Sequence, residues 1–246
     1  MATEIPQRQP SQSGQTTLII VDSQVIFRMG VRRVLAREGG IDVMGETDNL
    51  DDAISMIEDL SPQVLMVDAD LSPSNGLEVT ELVHRRYPAV SVIVMSQEIE
   101  DQQIFQAMRA GAVAAMSKSA PVDEMVSTIS RISNGDLPIA DDLISNPNLA
   151  TLVQDEFRLL DLLEETPRPM IAPLADKEAE ALSRLAQGEP EDEIASNMRM
   201  TPEALHSTVS SVLIKLARNK HTLDTVASRV RGRSNTRRRR TPPKKS

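Results

Sequence analysis

TLIIVDSQVIFRMGVRRVLAREGG, residues 17–40, decides the fold of the first half of the chain. Its first six residues form an apolar, β-branched run closed by Asp22, the pattern of a buried strand. VIFRMGVRRVL then sets apolar side chains at helical spacing, and Gly39-Gly40 offers a helix exit. Four more apolar runs repeat the plan: IDVMGET (41–47), VLMVD (64–68), SVIVMS (91–96) and AVAAMS (112–117). Helical stretches at 49–60, 76–86, 99–110 and 122–133 alternate with them. Five strands alternating with five helices predict an α/β domain over 16–135, a parallel doubly wound sheet covered on both faces.

Residues 136–173 read differently. NGDLPIADDLISNPN (134–148) is rich in turn residues, and TLVQDEFRLLDLLEET (151–166) is an amphipathic helix. Leu152, Phe157, Leu159, Leu160, Leu162 and Leu163 supply its apolar face. It is either a docking or dimer element or a helix packed on its own domain. TPRPMIAP (166–173), with three prolines, is an extended linker. From 174 to 230 the pattern is all-α, with four helices at 176–187, 190–198, 202–218 and 222–230. Gly188 separates the first two, and Thr201-Pro202 opens the third with a cap followed by proline at the first helical position. Short helices with tight turns suit a helix-turn-helix domain. The ends, 1–15 and 231–246, are expected to be disordered.

Composition narrows the function. The chain has 246 residues and no cysteine, which excludes disulfides and thiolate metal sites. Three histidines (His84, His206, His221) argue against a histidine-rich metal centre. No apolar run is long enough to span a membrane and the N-terminus lacks a signal-peptide core, so the expected location is the cytoplasm, with no membrane partner. The net charge of −9 is unevenly spread: residues 229–246 carry nine basic side chains and no acid, leaving −18 on the rest. A basic tail on an acidic body suggests a polyanion partner, usually nucleic acid. Scarce aromatics (three Phe, one Tyr, no Trp) disfavour recognition of RNA by base stacking.

In a parallel doubly wound sheet, ligands bind at the carboxyl ends of the strands. Asp22 ends the first strand, Asp68 the third, Ser96 the fourth and Lys118 the fifth. Clustered carboxylates there suit Mg²⁺, a lysine can neutralise a phosphoryl group, and a serine hydroxyl can hydrogen-bond it. The chemistry is phosphoryl transfer to a carboxylate. Asp68-Ala69-Asp70 is also the D-x-D of haloacid-dehalogenase-type phosphohydrolases, but those enzymes usually carry it on the first strand, so no enzyme is expected.

VDSQVIFRMGVRRVL, VLMVDADLSPSNGLE, VIVMS and GAVAAMSKSAP resemble the successive motifs of a response-regulator receiver domain, a flavodoxin-like fold. The arginine-rich first helix and the NGLE motif resemble the NarL/FixJ subfamily. The resemblance implies that Asp68 is the phosphoacceptor, that Asp22 and Asp68 hold Mg²⁺, and that Ser96 and Lys118 bind the phosphoryl group. It implies a two-component system with a sensor histidine kinase as donor. Two positions depart from the pattern. Ser23 replaces the usual second acid, for which Asp70 is a candidate substitute, and Ala115 replaces the switch aromatic.

LADKEAEALSRLAQGEPEDEIASNMRMTPEALHSTVSSVLIKLA (174–217) is similar to the LuxR-type helix-turn-helix that follows such receivers. The third helix would lie in the major groove of double-stranded DNA, its core stripe being Leu205, Val209, Val212, Leu213 and Leu216. The DNA-binding candidates are Thr201, His206, Ser207, Ser210, Ser211, Lys215, Arg218 and Lys220. By resemblance His206, Ser207 and Ser210 face bases. Residues 174–228 hold nine acids against six bases, so phosphate neutralisation falls to Arg231, Arg233, Arg237, Arg238, Arg239 and Arg240. The expected function is a DNA-binding transcription regulator acting as a homodimer, with RNA polymerase a further partner. Two alternatives remain: a phosphorylation-independent architectural DNA-binder, and a protein-interaction regulator without a specific site.

Overall fold

The structure, a computed structural model, describes residues 14–72, 74–162 and 171–238, with the backbone alone from 221 onward. Five parallel strands, β1 (Thr16–Val21), β2 (Ile41–Thr47), β3 (Val64–Asp68), β4 (Ser91–Ser96) and β5 (Ala114–Ser117), line up in the order β2-β1-β3-β4-β5. Helices α1 (Val25–Leu35), α2 (Leu50–Leu60), α3 (Gly76–Arg86), α4 (Asp101–Ala110) and α5 (Val122–Ser133) alternate with them, as the sequence predicts.

The strands' period of two sorts their side chains into two layers. Leu18, Ile20, Val64, Met66, Ile93 and Met95 face α1 and α5, where Val31, Leu35, Met125, Ile129 and Ile132 are buried. Ile19, Val21, Leu65, Val67, Val92 and Val94 face the opposite layer, built on α2, α3 and α4. Strand order reverses at β1, between its neighbours β2 and β3, and Val21 pairs with Val67. The residues that follow, Asp22 and Asp68, therefore emerge side by side at the reversal, where such sheets open a crevice.

Four further helices complete the structure's lower half after α6 (Ile139–Ser145): α7 (Pro147–Leu162), α8 (Asp176–Ala186), α9 (Glu191–Asn197) and α10 (Pro202–Arg238). Three expectations need correction. The turn-rich stretch 134–148 contains α6, and α7 begins at Pro147 rather than Thr151. Proline there is a helix opener, with Asn146 accepting the N–H of Asn148. The buried face of α7 is Leu149, Ala150, Val153, Phe157 and Leu160, whereas Leu159 is 59% exposed. Thirdly, the expected helices 202–218 and 222–230 are one helix that runs on through Arg238, into the tail expected to be disordered. Residues 219–222, Asn-Lys-His-Thr, contain no glycine or proline to end it.

Between the two readings of the amphipathic segment, the structure favours docking. α7 packs on both α4 and α8, and α10 lies against α4, α6 and α8. The termini at 1–13 and 239–246 and most of the proline-rich stretch, 163–170, lie outside the described residues. Among the described residues no helix is long and apolar enough to cross a membrane.

Two glycines test the packing in opposite directions. A Cβ on Gly76 would sit 1.8 Å from the carbonyl oxygen of Asp68, so this residue lets α3 start against the end of β3. Gly76→Ala should lower unfolding stability by roughly 3 kcal/mol in urea titration. Gly30, within α1, meets nothing within 4 Å, and Gly30→Ala should raise stability by about 0.5–1 kcal/mol.

Candidate functional site

At the carboxyl edge of the sheet the Lys118 ammonium joins the two aspartates. Its Nζ lies 2.7 Å from Asp22 Oδ2 and 2.9 Å from Asp68 Oδ2. All three side chains are at most 4% exposed. The other carboxylate oxygens accept backbone N–H groups, Asp22 Oδ1 from Gln24 at 2.7 Å and Asp68 Oδ1 from Asp70 at 3.1 Å. The Lys118 backbone N–H donates to the carbonyl of Ser96 (2.7 Å), which draws the ends of β4 and β5 together. Ser96 itself is buried, and Phe27 flanks the ammonium with its ring centroid 5.2 Å away.

The structure thus brings Asp22, Asp68, Lys118 and Ser96 to one edge. Ser23 and Asp70 are exposed. A residue that sequence reasoning passed over completes the surroundings: Arg28, on α1, is 9% exposed and its guanidinium donates to the carbonyl of Asp22. Its signal was faint, a single basic residue in the first turns of a helix whose other arginines, Arg32 and Arg33, are exposed.

Among the described residues no group of three or more acids or histidines could hold a metal ion. The donor set at the pocket is the pair Asp22 and Asp68. Two carboxylates fit a hydrated Mg²⁺, which commonly takes one or two carboxylates and fills its remaining positions with water and phosphate oxygens.

The second candidate surface is α10. Thr201 caps it, its hydroxyl accepting the N–H of Ala204 at 3.2 Å. The stripe Leu205, Val209, Val212, Leu213 and Leu216 is buried, as its spacing requires. The opposite side divides. Thr201, Ser207 and Arg218 are exposed and Ser210 is half-buried. His206 stands between two carboxylates, its Nδ1 3.5 Å from Asp141 on α6 and its Nε2 3.2 Å from Glu191 on α9. Asp142, beside Asp141, is pushed up to about 6 by burial and then by its charged neighbour.

Lys220 pairs with Glu81 of α3. Ser211 and Lys215 both bond Glu178, at 2.6 and 2.5 Å. Arg231, Arg233, Arg237 and Arg238 fall on the distal turns of α10, and Arg239 and Arg240 lie outside the described residues.

Glu178 is the second residue whose role sequence reasoning missed. It sits on α8, 7% exposed, and accepts from Ser211, Lys215 and the N–H of Ala175. Burial pushes its carboxyl upward, but these donors outweigh burial and hold it below the ordinary glutamate value. A depressed carboxyl stabilises the fold above its unfolded value and loses that contribution as pH falls through the folded one. The stability gap between wild type and Glu178→Gln should be full above pH 4.5, the ordinary value, and close below it. Glu178→Ala should cost about 1–3 kcal/mol at neutral pH, because it strands buried donors. Urea titrations at several pH values check both.

Comparison with known proteins agrees with this geometry. Residues 18–130 match the response regulator receiver domain family. The transcriptional regulatory protein DegU of Brevibacillus brevis is 24% identical, over 86% of this chain and 92% of that protein. The response regulator UvrY of Escherichia coli (strain K12) is 27% identical, over 77% of this chain and 83% of that protein. A solved two-component response regulator of the LuxR family from Aurantimonas sp. SI85-9A1 is 24% identical over 50% of this chain and 88% of that one, with a TM-score of 0.48. Residues 18–130 thus match the response regulator receiver domain, and the relatives that align with most of the chain are named as transcriptional and response regulators.

Proposed function

We propose that the chain is a transcription regulator in which phosphoryl transfer to Asp68 controls duplex-DNA binding by the α9–α10 helix-turn-helix. The observation that carries this reading is the seat of α10. The helix suited to the major groove lies against α4 and α6, with His206 tied to Asp141 and Lys220 to Glu81. Contacts that hold a DNA-reading helix to the receiver give the receiver a means of control. Relatives named as transcriptional and response regulators, matched over most of their length, favour this over an architectural DNA-binder or a protein-interaction regulator.

The chemistry follows from the pocket. An Asp68 carboxylate oxygen forms a bond to phosphorus as the P–N bond of a phosphohistidine, supplied by a sensor kinase, breaks. Asp22 and Asp68 would hold Mg²⁺, which supplies positive charge to the phosphoryl oxygens. Lys118 trades its carboxylate pair for a phosphoryl oxygen, and the Ser96 hydroxyl donates to another. Lys118 follows directly on β5, and Val113, just before β5, accepts the N–H of Ile139 at the start of α6 (2.9 Å). Movement at the pocket thereby reaches Asp141 and its hold on His206. The released module binds paired half-sites as a homodimer and acts on RNA polymerase.

Selection of random duplexes with the full-length chain should enrich an inverted repeat; no enrichment at low salt would sink the reading. On the enriched site, Asp141→Ala and Glu81→Gln should each raise affinity about two- to fivefold by fluorescence anisotropy, since each removes one polar tie of α10. Unchanged affinity in both would show that docking does not limit DNA binding. Deleting residues 231–246 should weaken binding to all sequences alike and flatten its salt dependence, by about 0.9 in log–log slope for each phosphate no longer neutralised.

A further inference from the structure

We propose that Lys118 and Arg28 neutralise the acidic pair internally, so that a divalent cation binds together with a phosphoryl group and not ahead of it. The inference rests on the phosphoacceptor reading of Asp68 and concerns what prepares that site. Two carboxylates, Asp22 and Asp68, face two cations, and the formal charges sum to zero. Lys118 holds one oxygen of each acid, and the remaining oxygens are occupied by the N–H groups of Gln24 and Asp70. A cation arriving alone would meet an ammonium already in place between its ligands.

Arg28 adds to that barrier. Its side chain is nine-tenths buried beside Asp22, bound to a neutral carbonyl rather than a carboxylate. Among the described residues no acid lies within ion-pair distance of it, and its Nε–H has no hydrogen-bond partner. Its positive charge therefore adds to that of Lys118 beside Asp22. The position next to Asp22, where one more carboxylate would restore a net attraction, is Ser23, exposed and uncharged. A phosphoryl group makes the sum negative and draws Lys118 to itself, which frees carboxylate oxygens for the cation. Anion and cation each create the site for the other, a mutual linkage in which each raises the other's affinity by the same factor.

The test uses the full-length protein and two probes, Mg²⁺ and beryllofluoride, read by NMR shifts and by melting temperature. Mg²⁺ alone should produce no saturable change in wild type, whereas Mg²⁺ with beryllofluoride should. Ser23→Asp should bind Mg²⁺ alone at least about tenfold more tightly than wild type, the scale of one added charge at close range. Arg28→Gln should shift Mg²⁺ affinity in the same direction, and Arg28→Lys, which keeps the charge, should behave as wild type. Saturable binding of Mg²⁺ alone to wild type, equal to that of Ser23→Asp, overturns the inference and leaves the phosphoacceptor reading standing. No response of folded wild type to the two probes together overturns both.

Discussion

One ammonium shared by two buried carboxylates is the constraint around which the receiver half is arranged. Lys118, Asp22 and Asp68 are almost wholly out of water, where an unpaired charge costs several kcal/mol. Their geometry must be met by three strands at once, so β1, β3 and β5 have to end at matching heights. The parallel register does this: Val21 stands beside Val67, Asp68 beside Met95, and Ser96 beside Ser117. Gly76 serves the same end from outside, because only a residue without a side chain lets α3 begin against the carbonyl of Asp68. The local structure around the pocket is thus dictated by where three charges must meet, and function inherits that precision.

The helical half has its own buried charge. Glu178 gathers Ser211, Lys215 and the start of α8 into one network, which locks the third helix of the module to its first. Two residues that the sequence offers for DNA are therefore used to hold the module together. Asn219 does comparable work at the other end of the same face: fully buried, it exchanges two hydrogen bonds with the backbone of Ala172, at 2.8 and 3.0 Å. Of the α10 side chains that the sequence offers for DNA, these bonds leave His206, Ser207, Ser210, Arg218 and Lys220 outside the network that holds the module together.

Much of this was legible in the sequence, for a physical reason. Strands buried on both faces must be continuous apolar runs, and the five strands stand where such runs occur. Asp22, Asp68, Ser96 and Lys118 were legible because a polar residue closing an apolar run can only point out at the sheet edge. Proline misled, since Pro138 and Pro147 signal turns and helix starts equally well, and only the Asn146 cap decides. The continuity of α10 was hidden because Asn219, His221 and Thr222 are weak helix formers, and the partner of Asn219, Ala172, lies 47 residues away in sequence. Arg28 and Glu178 were missed as partners for the same reason. Their roles are set by groups that become neighbours only on folding.

The strengths of the two kinds of contact explain how one fold can be both rigid and switchable. In the receiver pocket Lys118, Asp22 and Asp68 are almost fully buried, and removing one strands its partners. The polar ties of α10 to Asp141 and Glu81 are more open than that cluster: the side chains of His206 and Asp141 are 39% and 41% exposed, and those of Lys220 and Glu81 18% and 22%. Surface polar ties contribute about 0–1 kcal/mol each, and that of His206 is an ion pair only when the imidazole is protonated. Driving a two-state equilibrium from 1:99 to 99:1 takes about 5.5 kcal/mol of differential binding. Docking built from buried ion pairs would lie beyond that range and lock α10 in place. On the proposed function, polar ties of this kind over the contact of α10 with α4 and α6 would keep docked and released states close enough for chemistry at Asp68 to choose between them.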